Sequence, residues 1–95
     1  MSKSILTDDY IHCFWCGRFA EAEHHIFFGT ALRKISEKFG FKVPLCNRCH
    51  NLDKDSVHLD PKRVKDLELK RACQAKFEET HSHEEFMNII GRNYI

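Results

Sequence analysis

The chain lacks any long hydrophobic run. Its start, Met-Ser-Lys-Ser-Ile-Leu-Thr-Asp-Asp-Tyr-Ile-His, holds no apolar stretch of secretory-signal length, and no later segment approaches a membrane-spanning helix. The expectation is therefore a cytoplasmic, intracellular protein with no membrane partner. Net charge is also scarce: 15 Lys and Arg against 14 Asp and Glu leave only +1. Phosphate-binding domains are often strongly basic, so only a localised basic face would serve nucleic acid here. No low-complexity stretch occurs, and no repeat beyond a pair of Cys-x-x-Cys elements. At 95 residues, 42% hydrophobic and 31% charged, the chain reads as one small globular domain, residues 10–95, behind a flexible N-terminal arm, residues 1–9. So short a chain buries a modest core, and a metal staple would help it.

What the chain does have is cysteine and histidine, 5 and 7 of them. In a reducing compartment cysteines serve more often as metal ligands than as disulfides. Cys13-Phe14-Trp15-Cys16-Gly17 and Cys46-Asn47-Arg48-Cys49 are two such elements, about thirty residues apart. Each turn aims a pair of sulfurs at one point, and two turns complete the tetrahedron of a structural Zn²⁺. The gap exceeds the usual ribbon spacing, so a helix must fill it, and residues 30–39 supply one. A redox dithiol would require a βαβ setting that the pattern lacks. Cys73 stands alone inside a helical stretch and reads as a core residue.

The expected fold class is α+β. Tyr10 to Trp15 and the run His24 to Gly29 read as strands, and Phe41 to Leu45 as a short extended segment. Thr30 caps a helix over Ala31–Phe39, with Leu32, Ile35 and Phe39 on its apolar face and Arg33, Lys34, Glu37 and Lys38 on the other. Asp60-Pro61 starts a helix running to about Glu79, with Val64, Leu67, Ala72 and Ala75 on one stripe and Leu69, Cys73 and Phe77 beside it. Ser82 and Glu85 form a capping box for a last helix that Gly91 ends.

The histidines are surplus to the cysteine site. Joining the two knuckles draws His24-His25 towards His50, and neighbouring residues on a strand face opposite ways. One of the pair can then bind metal while the other faces substrate. His12, His81 and His83 read as ordinary surface residues.

Three pieces carry a resemblance: Cys13-x-x-Cys16-Gly17, Glu23-His24-His25-Ile26, and Val43-Pro44-Leu45-Cys46-x-x-Cys49-His50-Asn51. From Cys13 onward the chain resembles the HNH, or ββα-metal, endonuclease family. Its tail, Ser56-Val57-His58 and Phe86 to Ile95, looks like small phage-encoded members. The resemblance implies a ββα-metal fold, and work inside the host cell of a phage or mobile element. It implies His24, His50 and His58 as ligands of a catalytic metal, and His25 as the general base. The family's middle Asn, which orients that base, falls near Phe41, which cannot do so. Asn47 or Asn51 would need suitable geometry to take over.

The chemistry is coherent in its own right. Phosphodiester cleavage needs an in-line water, a base of near-neutral pKa and a cation for the developing charge. Imidazole titrates in that range. Three histidines favour Zn²⁺, Ni²⁺ or Mn²⁺ over Mg²⁺, which prefers oxygen. Arg33 and Lys34, just behind the histidine pair, are candidates for DNA phosphate; Lys62, Arg63, Lys65, Lys70 and Arg71 read as a solvated helix face. The leading expectation is a metal-dependent DNA endonuclease. The alternative is a zinc-stabilised nucleic-acid-binding module without cleavage, and a third is a protein-interaction zinc domain. A homodimer would cut both strands and a single copy would nick; one chain leaves both open.

Overall fold

A computed structural model describes residues 3–95. The order is β1 (Ala22–His25), α1 (Thr30–Phe39), β2 (Lys42–Leu45), a π-helical turn at Arg48–Leu52, α2 (Val64–Phe77) and α3 (His83–Ile90). The strands pair antiparallel, with Ala22 opposite Leu45, Glu23 opposite Pro44, His24 opposite Val43 and His25 opposite Lys42. The α+β class is thus observed, as a two-stranded hairpin with helices.

Helix α1 forms the connection inside the hairpin. Ser36 pins it there: its hydroxyl donates to the Phe27 carbonyl at 2.7 Å and accepts from the Phe27 N–H at 3.2 Å. Gly40 ends α1 in the left-handed conformation, φ 75°, donating its N–H to the Ser36 carbonyl. The N-terminal segment closes over this turn. Ser4 is buried, and the Ile5 N–H donates to the Gly40 carbonyl at 3.0 Å. The arm expected at residues 1–9 is therefore anchored at Ser4 and Ile5, while Met1 and Ser2 lie outside the described residues.

The core is aromatic. Phe27 meets Phe41 at 5.6 Å and Phe86 at 5.8 Å, and Phe41 meets Phe77 at 5.5 Å. Edge-to-face contacts of this kind add to the gain from burial alone. Cys73 is buried in the same core, as its isolation implied.

Several local expectations need correcting. Tyr10 to Trp15 make only an isolated bridge, His12 to Phe19, because the chain reverses at once into the first knuckle. Helix α2 starts three residues beyond Pro61. The Asp60 carboxylate accepts from Lys62 and Val64 N–H groups, which builds a turn, and Arg63 then takes φ 57°. The buried face of α2 is also rotated from the expected stripe. Asp66, Leu69, Lys70, Cys73, Gln74 and Phe77 point inward, and Val64 is exposed. Polar groups on that face pair within the protein: Lys70 with Asp66 at 2.9 Å, while Gln74 holds the C-terminal tail through Asn93 and the Tyr94 N–H. Lys65, expected as solvated, is buried against Asp55 and lies over Trp15. The capping box of Ser82 and Glu85 forms as expected.

Candidate functional site

The two knuckles meet. Sulfurs of Cys13, Cys16, Cys46 and Cys49 lie within 4.8 Å of one another, so this set can hold a structural metal ion. Backbone bonds draw the first knuckle to β2: the Phe14 N–H donates to the Pro44 carbonyl at 2.8 Å. Glu21 clamps the second, accepting from the Asn47 backbone and amide nitrogens at 3.1 Å each. The Cys16 and Cys46 sulfurs are 3.6 Å apart, far beyond a disulfide bond. Four sulfurs at a ~2.3 Å Zn–S bond length would stand roughly 3.8 Å apart, so the spacing fits tetrahedral zinc. A backbone hydrogen bond at Arg18 helps bring the Cys16 thiol down to about 7, whereas burial and the neighbouring thiols push Cys49 upward. A metal bound here would displace the thiol protons.

The next cluster grows out of the same knuckles. The Val57 N–H donates to the Cys49 carbonyl at 2.8 Å and the His58 N–H to the His50 carbonyl at 3.2 Å. These bonds fold the following loop back, so the His50 and His58 Nε2 atoms stand 3.2 Å apart. Strand alternation turns His24 to the same point from β1; one ring nitrogen each of His24, His50 and His58 lies within 4.8 Å of the others. Nitrogens bound to one tetrahedral metal at ~2.0–2.1 Å would sit roughly 3.3 Å apart.

His24 gives the sharpest test of fit. It is only 2% exposed, and its Nε2 is buried without a hydrogen-bond partner among the described residues. A buried polar atom left unpaired costs about 1–3 kcal/mol. A metal at this point would satisfy it. Burial, then the proximity of His50 and His58, hold its imidazole down at about 3, and burial followed by His58 lowers His50. Neutral imidazole is the form a metal takes.

His25, one residue on, faces the other way. Its Nε2 lies 3.1 Å from Glu37 Oε1 on α1. Glu37 Oε2 accepts from Lys42 at 2.5 Å, and Glu23 lies 3.4 Å from the same ammonium. Lys42 is 1% exposed, opposite His25 in the hairpin register. Its hydrogen bond, then that of His25, bring the Glu37 carboxyl down to about 2. Burial opposes the Lys42 charge, but Glu37 and Glu23 outweigh it and raise the ammonium.

Both histidine faces open on one cleft of about 420 Å³, lined by Glu23, His24, His25, Phe28, Arg33, His50 and His58. Arg33 therefore stands beside the histidines, while Lys34 shares an adjoining hollow with His25 and Glu37. Asn47 is committed to Glu21, so it does not orient His25. Phe41, near the expected Asn, is wholly buried among aromatics. Glu37 and Lys42 escaped the sequence reading, which placed Glu37 on the solvent face of α1. Pairing the strands with His25 opposite Lys42 would have been the signal.

His12 bonds Asp9, His81 stacks on Phe77 and His83 bonds Glu78, all away from the cleft. No described helix is long and apolar enough to cross a membrane. No family model matches the chain, and no curated protein or solved structure matches it.

Proposed function

We propose that the chain is a metal-dependent DNA endonuclease of the HNH, ββα-metal type, a small phage-type member. The supporting observation is the convergence of one ring nitrogen each from His24, His50 and His58, with His24 buried and its Nε2 without a partner among the described residues, at a cleft that His25 and Arg33 share. In this reading the four cysteines hold structural Zn²⁺ and keep the knuckles together. His24, His50 and His58 hold a catalytic divalent metal, Zn²⁺, Mn²⁺, Ni²⁺ or Mg²⁺. When bound, that ion would polarise the scissile phosphate and offset charge on the leaving oxygen. His25 takes a proton from water, whose oxygen attacks phosphorus as the bond to the leaving oxygen breaks. Arg33 and Lys34 hold the DNA backbone beside the cleft. The modest net charge suits such local contacts more than a broad basic surface.

One observation favours the runner-up, a zinc-stabilised nucleic-acid-binding module without cleavage: Phe41, near the place the resemblance gives the orienting Asn, is wholly buried and cannot orient a base. Plasmid cleavage separates the two. The parent and His25→Ala are incubated with supercoiled DNA and Mn²⁺, Mg²⁺, Ni²⁺ or Zn²⁺ in turn. The parent should nick or linearise the plasmid, and His25→Ala should lose roughly 10²–10⁴-fold in rate. A parent that binds but never cuts would establish the binding module. Equal cutting by both proteins would remove His25 from its role.

A further inference from the structure

Glu23, His25 and Glu37 place ligand atoms within 4.8 Å of one another, which at first suggests another metal site. Lys42 argues otherwise. Its ammonium already contacts both carboxylates, at 2.5 and 3.4 Å, from a position 1% exposed. A metal there would meet a buried like charge with nowhere to go. The cluster therefore carries its own cation, and His25 is its uncharged member when neutral.

We propose that Glu37 is the positioning residue of His25, doing from helix α1 what the family's Asn does from the hairpin; this rests on the nuclease reading above. A carboxylate only accepts hydrogen bonds. Glu37 Oε1, 3.1 Å from His25 Nε2, therefore places the proton on Nε2. The lone pair is left on Nδ1, the nitrogen free to take a proton from water. Lys42, donating to the other carboxylate oxygen, keeps Glu37 ionised and fixes the plane of its carboxylate. Strand and helix thus lock the imidazole of the base: the hairpin register sets Lys42 opposite His25, and α1 brings Glu37 to both.

The pairing makes an unusual demand on the conservative variant. Lys42 can only donate, so in Glu37→Gln it should claim the amide oxygen and turn the NH₂ towards His25. That selects the opposite tautomer, with the proton on Nδ1. Glu37→Ala, by contrast, should leave a mixture of the two. The experiment records side-chain ¹H–¹⁵N long-range correlations of His25 in the zinc-loaded parent, Glu37→Gln and Glu37→Ala, with circular dichroism to confirm folding. The same proteins are assayed on plasmid DNA with Mn²⁺. The parent should show the Nε2–H tautomer, Glu37→Gln the Nδ1–H tautomer and Glu37→Ala both. Glu37→Gln should lose most of the ~10²–10⁴-fold in kcat that a general base contributes, and Glu37→Ala clearly less, because part of its His25 keeps the working tautomer, with KM for DNA nearly unchanged in both. An unchanged tautomer in both variants overturns the proposal, as does an unchanged kcat in a cutting parent. A parent that cuts under no metal overturns the nuclease reading instead, and the tautomers still decide whether Glu37 sets the His25 ring.

Discussion

Glu37 couples the histidine face of the cleft to stability through pH. Lys42, then His25, hold its carboxyl near 2 in the folded chain, against an ordinary value of 4.5. A depressed acid stabilises the fold above its unfolded pKa, and that contribution fades as pH falls towards the folded one. The window is therefore about 4.5 down to about 2. Acid also displaces metal from the cysteines, so the useful quantity is a difference. The gap in Tm between the parent and Glu37→Gln should be constant above ~pH 5 and close steadily below it. A gap of the same size at every pH would mean that the carboxylate charge contributes nothing. The neighbouring His24 contrasts with it: its buried Nε2 has no hydrogen-bond partner among the described residues.

Helix α1 and its end at Gly40 connect the N-terminal segment to the site. Gly40 has φ 75°, and a Cβ there would collide with the Lys3 carbonyl. Gly91 ends α3 at φ 84° with open space around it. Each Ala substitution meets the left-handed penalty of ~1–2 kcal/mol. Only Gly40→Ala must also push residues 3–5 off the turn, breaking the Ile5 to Gly40 bond. Urea denaturation should show Gly40→Ala losing clearly more than Gly91→Ala, by about 1 kcal/mol or more. Equal losses would mean that the N-terminal segment adds no stability there. Elements such as these differ in how far the sequence discloses them. The cysteine knuckles, the Gly40 and Gly91 stops and the Ser82–Glu85 box were legible, because each is decided within a few residues. His24 and His50 were legible at one remove, since joining the knuckles draws them together, whereas His58 entered only through the family resemblance. The inward face of α2 was not, because Asp66, Lys70 and Gln74 are buried by pairing with one another or with the distant tail. Glu37 with Lys42 was hidden for a similar reason: it depends on a strand register and on a helix crossing it.

Across the whole molecule, two sites could hold metal: the four cysteines, where an ion would brace the fold, and the three histidines, where an ion would serve the cleft. A domain of this size has a net stability of about 5–15 kcal/mol. Structural zinc on cysteine thiolates contributes apparent binding energies of ~10–16 kcal/mol in small zinc modules. Losing the ion from Cys13, Cys16, Cys46 and Cys49 should therefore remove most of the stability of this chain. A three-histidine site would offer only neutral donors and no thiolate charge, and its cleft is open, so it should release metal first. Chelator titration is accordingly expected to proceed in two stages. Weak chelation should empty the histidine site and, on the proposed nuclease function, stop plasmid cleavage while circular dichroism and Tm stay near their starting values. Strong chelation should then take about one zinc per chain, scored by a colorimetric zinc indicator, and collapse the helical signal in the same step. Cys49→Ser should resemble the second stage without any chelator, and His50→Ala should resemble the first. If strong chelation removes that zinc and leaves Tm unchanged, the aromatic core around Phe27, Phe41, Phe77 and Phe86 holds the chain by itself, and the cysteines need another explanation.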